Sequence, residues 1–179
     1  MPLPHWDYFL AIEADLANCA RYVDFDERNF SAYSIEFAQI ILRAGAEAEI
    51  TCAAITATDT GKWTKIRNDF PAAANRKIGL SRYDLTIVPW NEWNSTNEAP
   101  AWFQAYNDIK HNRLDREESA NLKNALWAVA GLLVLILERF EQLNLPLPSI
   151  DVAPMLMGPI KTVDDGYIES AISWDYRVR

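Results

Sequence analysis

LKNALWAVAGLLVLILERFEQL, residues 122–143, is the stretch of sequence that decides the fold. Apolar residues surround nearly the whole middle of this segment, whereas a helix on a protein surface carries a single apolar stripe. The apolar run over residues 125–137 is shorter than the roughly twenty residues that a membrane-spanning helix requires. The segment is therefore predicted to be the most buried helix of a helical bundle.

Other segments have the helical spacing of apolar residues that would let them pack around this helix. Residues 6–23 and 30–56 form two such runs, and Asn29 or Ser31 is available to cap the second. A third helix is predicted to begin near Pro100, which suits a first helical turn. Asp115 and Glu118 resemble a capping box, so the central helix is predicted to begin near residue 116. A short helix at residues 63–68 is a further candidate.

Two segments have a partial β pattern. Residues 83–90 are rich in β-branched and aromatic side chains, and residues 167–174 alternate enough to pair with them as a second strand. The proline-rich tail covers residues 145–179. The predicted fold is mainly α: one domain over residues 1–179, a bundle of four to five helices with its core at about 5–144, a small β element and an extended C-terminal tail.

Composition limits the function classes. The formal net charge is −8, with 25 acidic and 17 basic side chains, so any contact with RNA has to be local. Cys19 and Cys52 are predicted to be buried free thiols, and the chain is expected to be cytoplasmic. Two histidines cannot easily build a metal site, and no cofactor-binding glycine motif occurs, so no metal and no cofactor are expected. The tryptophans of the acidic loop, Trp90 and Trp93, together with Trp102 are predicted to be core anchors rather than a ligand box.

The stretch AYNDIKHNRLDR, residues 105–116, carries the candidate site. On an ideal helix Asn107 and His111 lie one turn apart on the same side. Lys110 and Arg113 project onto the face that is predicted to be buried, where a cation requires an acidic partner or a polar cavity. That face consists of Trp102, Phe103, Tyr106, Ile109 and Leu114.

The second predicted helix offers acidic partners for these cations. Glu36, Arg43 and Glu47 are spaced by seven and four residues, so they form a charged stripe along one side of the helix. Glu49 is predicted to point elsewhere. We therefore expect Glu47 or Glu36 to form an ion pair with one of the two cations.

A purely structural interpretation of the same residues stays open. Lys110 can extend along the apolar face to water, and Arg113 can lie beyond the helix end. A protonated His111 near a helix C-terminus also interacts favourably with the helix dipole. In that case the cluster is an ordinary helix terminus.

Residues 33–50, 101–113 and 120–140 together resemble the HEPN superfamily of helical bundles, over about half of the chain. The catalytic motif of that superfamily is an arginine, a polar residue that is often asparagine, a few spacers and then a histidine. Asn107 matches the polar residue and His111 the histidine, whereas Tyr106 stands where the family has arginine.

The resemblance implies metal-independent RNA cleavage by a homodimer whose two motifs face each other. The family arginine stabilises the phosphate and the histidine handles the proton; here Lys110 and Arg113 can supply the missing positive charge. The chain is thus expected to be an endoribonuclease or RNA-binding protein of a toxin, defence or stress system.

Two other functions stay open. One is a non-catalytic interaction or regulatory module that binds a protein partner, which Tyr106 favours. The other is small-anion binding near Lys110.

Overall fold

The structure, a computed structural model, describes residues 5–58, 60–95, 99–145, 156–162 and 168–169. It is a mainly α-helical bundle with a small antiparallel sheet, as predicted from the sequence. The helices within the described residues are α1 (Trp6–Cys19), α2 (Ile35–Thr56), α3 (Lys62–Asp69), α4 (Ala101–Asn112) and α5 (Leu122–Gln142). The strands in the same part of the chain are β1 (Lys77–Leu80), β2 (Leu85–Ile87), β3 (Gly158–Thr162) and β4 (Ile168–Glu169).

Helix α5 is the centre of the bundle, as its apolar sequence predicts. Fifteen of its 21 residues are buried, so it has neighbours on nearly every side. Helices α1, α2 and α4 all pack against it, and α2 makes the most extensive contact. None of the helices in the described part of the chain is long and apolar enough to cross a membrane.

Two helices begin later than the sequence predicts. Helix α2 begins at Ile35, because the hydroxyl of Ser34, rather than Asn29 or Ser31, accepts the hydrogen bond from the Phe37 N–H. Helix α5 begins at Leu122, where Asn121 is the cap, and not near residue 116. The predicted capping box was wrong because a short 3-10 turn, Glu117–Ser119, occupies that segment.

The sheet has the strand order β2-β1-β3-β4, and every neighbouring pair is antiparallel. The predicted strand at residues 83–90 is present as β2, but its partner is β1, which the sequence did not reveal. The tail strand was predicted to pair with β2; the part of it that is described, β4, instead pairs with β3 at the opposite edge. The rest of the predicted tail strand lies outside the described residues.

A buried carboxylate joins the C-terminal segment to the first helix. Glu13 of α1 is fully buried, and its Oε1 accepts hydrogen bonds from the backbone N–H groups of Leu156 and Met157, at 2.9 and 2.8 Å. Each amide N–H gives the buried carboxyl oxygen a hydrogen-bond partner, as buried polar atoms require. Strand β3 continues from this point and pairs with β1.

The tryptophans of the acidic loop are core residues, as predicted. Trp90 and Trp102 are buried in edge-to-face contact, and Trp93 stacks on Trp90. The indole N–H of Trp90 donates to the Gly131 carbonyl, and that of Trp102 donates to the Pro89 carbonyl. These bonds attach the loop to α5 and hold the start of α4.

Both cysteines are buried thiols that are not bonded to each other. Burial raises the pKa of Cys52 to about 12, so its thiol stays protonated at neutral pH.

Gly131→Ala is expected to lower the free energy of unfolding by about 1–2 kcal/mol. A Cβ on residue 131 would lie 2.6 Å from the ring of Trp102, and overpacking of this kind outweighs the gain in helix propensity. Urea denaturation of wild type and variant measures the difference. In a Trp102→Phe background the smaller ring should make the same substitution less costly. A variant at least as stable as wild type would contradict this account of α4–α5 packing.

Candidate functional site

Helix α4 carries the candidate motif, and its buried face is largely the predicted one. Trp102, Phe103, Tyr106 and Ile109 are all buried. Leu114 is the exception, with 84% of its surface exposed. The helix ends at Asn112, so Leu114 no longer follows the helical direction that placed it on the buried face.

Lys110 and Arg113 do not enter the core, which corrects the prediction that they lie on a buried face. Both side chains are exposed. Lys110 lies in the last turn of α4, and Arg113 is the residue that follows the helix. At a helix end a long side chain reaches water easily, so neither cation needs a buried counter-charge.

The acidic partner of Lys110 is Glu49, which was predicted to point elsewhere. The phenol of Tyr106 donates a hydrogen bond to Glu49 Oε2 at 3.0 Å and accepts one from Lys110 Nζ at 3.1 Å. Lys110 Nζ also lies 3.8 Å from Glu49 Oε2, and Lys62 of α3 lies 3.8 Å from Glu49 Oε1. One carboxylate therefore lies between two ammonium groups, with Tyr106 bound to it.

Glu47 and Glu36 do not approach the motif. Glu47 is buried and accepts a hydrogen bond from His5 Nδ1 at 2.6 Å, while Glu36 is exposed. Arg43, on the same side of α2, forms an ion pair with Asp15 of α1 at 2.6 Å. The charged stripe therefore faces α1, because α4 packs on a different side of α2.

The side of α2 that meets α4 is marked by Gly45. A Cβ at this position would lie 2.4 Å from the Tyr106 ring, so only glycine lets the two helices come this close. Glu49 lies one turn after Gly45 and reaches the phenol oxygen of the same tyrosine. A glycine in the middle of a helix, followed four residues later by an acid, was the sequence signal that could have identified this partner.

Environment changes the proton affinity of both groups that bind Glu49. Burial is the main cause that raises the pKa of Tyr106. The hydrogen bond to Tyr106 is the main cause that raises the pKa of Lys110. At neutral pH the tyrosine is therefore a neutral phenol and the lysine a cation.

Two open clefts flank the end of α4, and they share Arg113 and Leu114. The basic cleft has a volume of about 600 Å³ and is lined by Leu42, Ile109, Lys110, His111, Asn112, Arg113, Leu114 and Asp115. The apolar groove has a volume of about 540 Å³ and is lined by Tyr33, Ser34, Ile35, Ala38, Arg113, Leu114, Glu117 and Ala120. Because two residues line both, the clefts form one continuous surface.

His111 is exposed in the basic cleft, and Asn107 is half-buried one turn earlier. Within the described ranges, neither residue has a hydrogen-bond or ion-pair partner, and Arg113 has none either. His111 and Arg113 are thus available for a ligand in the basic cleft, whereas Asn107 does not line it. An imidazole beside a guanidinium and an ammonium can exchange a proton with a ligand while binding a negative charge.

Comparisons with known proteins give no further assignment. No protein-family model, no curated protein and no solved structure matches the chain. Function is therefore inferred from the side chains of the site.

Tyr106→Phe is expected to lower the free energy of unfolding at pH 7 by roughly 1–2 kcal/mol, because two hydrogen bonds of the phenol are lost. The raised pKa of Tyr106 means that the unfolded chain ionises first, so this contribution falls as pH rises above about 10. Urea denaturation at pH 7 and at pH 10–11 should show the gap between wild type and variant becoming smaller.

The matched control for this experiment is Tyr22→Phe, whose side chain is exposed, and it should leave stability unchanged at both pH values. A gap for Tyr106→Phe that stays constant with pH would show that the phenol is not titrating as described.

Proposed function

We propose that this protein is a HEPN-like, metal-independent endoribonuclease of a cytoplasmic toxin, defence or stress system, with the basic cleft as its RNA-binding site. The observation that carries the proposal is that Lys110, His111 and Arg113 line one open cleft. Lys110 is already paired with Glu49 and Tyr106, whereas a structural ion network would have paired His111 and Arg113 as well. Instead, His111 and Arg113 have no partner within the described ranges, and Lys110 is exposed at the cleft.

In the proposed reaction His111 acts as the general base. Its imidazole takes the proton of a ribose 2′-hydroxyl. The 2′-oxygen then forms a bond to phosphorus, the bond from phosphorus to the 5′-oxygen breaks, and the 5′-oxygen takes up a proton. The products are a 2′,3′-cyclic phosphate and a 5′-hydroxyl, so neither a metal nor another co-reactant is consumed.

The cations supply the electrostatic part of this mechanism. Arg113 can bind two phosphate oxygens at once, and Lys110 offers a point charge on the same side of the cleft. Negative charge builds up on the phosphate oxygens as the 2′-oxygen attacks, so positive groups beside them lower the barrier. Asn107, one turn before His111, is proposed to orient the ring or the phosphate.

A homodimer belongs to this proposal. Two facing motifs would provide one His111 as base and the second as the acid that protonates the 5′-oxygen. They would also concentrate positive charge locally on a chain whose net charge is −8. Arg113 and Leu114, which line both clefts, lie where a partner's motif would have to approach.

The test is RNA cleavage by the purified protein in EDTA, with analysis of the product ends. Wild type is expected to yield cyclic phosphate ends, and His111→Ala is expected to reduce the rate at least about 100-fold, as for loss of a general base. Arg113→Ala should weaken RNA binding and make that binding less sensitive to added salt, because one fewer cation contacts the phosphates.

Arg21→Ala is the matched control. Arg21 is an exposed arginine between α1 and α2, so its substitution removes the same charge at a place far from the motif in the sequence. It should cleave like wild type. Equal cleavage by wild type and His111→Ala would rule out His111 as the catalytic base.

A non-catalytic interaction module is the second candidate, and the state of Tyr106 favours it. In place of the family arginine, this tyrosine is buried and bound to Glu49, so it offers no positive charge to a phosphate. For such a module, wild type would be inactive on every RNA tested. Light scattering and affinity capture would then be expected to detect a protein complex that charge reversal at Arg113 disrupts.

A further inference from the structure

The apolar groove beside the basic cleft exposes large side chains that soluble proteins normally cover. Tyr33 is 60% exposed, Ile35 76% and Leu114 84%. All three line this one groove, with Ala38 and Ala120 as further apolar lining residues. A contiguous exposed apolar patch often marks a binding surface.

Backbone hydrogen bonds join the wall of the groove that carries Tyr33 to the start of α5. Tyr33 forms an isolated antiparallel bridge with Asn121, next to a hydrogen bond from the Ser34 N–H to the Ala120 carbonyl at 3.1 Å. The Leu122 N–H donates to the Ala32 carbonyl at 2.9 Å, on the other side of the bridge. The backbone that carries the tyrosine is thus attached to the start of α5.

Positive charge stands at the border between the groove and the basic cleft. Arg113 lines both, it has no partner within the described ranges, and Lys110 lies in the same basic cleft. A ligand that follows this surface therefore meets first a cationic site that can bind negative charge, and then an apolar, aromatic site. Successive nucleotides of single-stranded nucleic acid present a phosphate and a base in this alternation.

We propose that the apolar groove is a nucleobase subsite for single-stranded RNA, in which an unstacked base packs against Tyr33 while an adjacent phosphate binds Arg113 and Lys110. This inference rests on the proposed function, and it adds the structural class of the substrate. A base inside a duplex is stacked and paired, so it cannot enter the groove. The subsite therefore selects unpaired segments, with little preference among bases, because each base has a face that can stack.

The test measures binding of fluorescent oligonucleotides to the His111→Ala protein, in which cleavage is expected to be slowed. The probes are a single-stranded uridine dodecamer, a hairpin duplex and an abasic ribose-phosphate oligomer of the same length. Tyr33→Ala is expected to weaken binding of the uridine dodecamer about tenfold, the loss of one base–aromatic contact. Binding of the abasic oligomer should be unchanged, and the hairpin should compete poorly. Tyr33→Trp should restore binding.

Two controls separate this subsite from the phosphate site and from folding. Tyr22→Ala removes a tyrosine that is 84% exposed elsewhere on the chain, and it should bind every probe as the parent does. Arg113→Ala should weaken binding of the uridine dodecamer and of the abasic oligomer alike, because both carry phosphates. Thermal unfolding should show that all variants are as stable as their parent.

The outcomes distinguish the two proposals. If Arg113→Ala weakens RNA binding and Tyr33→Ala does not, the proposed nucleobase subsite is wrong, but the proposed RNA-binding site in the basic cleft is retained. If Tyr33→Ala weakens binding of the abasic oligomer as much as binding of the uridine dodecamer, the proposal that a base stacks on Tyr33 is wrong. If no probe binds, both proposals fail. In that case, a lower mass of Ile35→Glu than of its parent in light scattering would identify a second copy of the chain as the occupant of the groove.

Discussion

The close approach of α4 to its two neighbours is the constraint on which the rest of the structure depends. Tyr106 packs directly on Gly45 of α2, and Trp102 packs directly on Gly131 of α5. A side chain at either glycine would push α4 outward, and the aromatic rings would lose the dense contacts that a core requires. With both contacts made, the last turn of α4 is held at the bundle surface. The basic cleft and the apolar groove are the space on either side of that turn.

Much of the fold could be predicted because hydrophobic periodicity is a strong signal in long helices. The apolar sequence of α5 indicated its central position, and the burial of Trp90 and Trp102 followed from their size. Helix starts were harder, because Asn121, the cap of α5, also bridges to Tyr33, a contact between residues far apart in the sequence. Strand β1 was missed because four residues carry too little periodicity, and the strand exists only through its pairing with β2 and β3.

The candidate site was predictable in its residues but not in its electrostatics. Position in the chain was enough to group Asn107, Lys110, His111 and Arg113, since they lie within two helical turns. The acid that pairs with Lys110 depends on which side of α2 faces α4, and spacing within one helix does not determine that. The charged stripe of α2 was assigned to the wrong neighbour, whereas Gly45, which has no charge, marked the correct one. Small residues at helix contacts can therefore be more informative than charges.

The hydrogen bonds of Glu13 give the order of chain synthesis a physical meaning. Helices α1 to α5 can pack once residue 142 has left the ribosome, but the donors for this carboxylate come from residues 156 and 157, and β1 pairs with β3 only afterwards. Before then a nascent chain lacks these two hydrogen bonds and leaves one edge of β1 unpaired, and an open strand edge favours intermolecular pairing. A chain that ends before residue 156 would therefore expose β1 at the edge where β3 pairs.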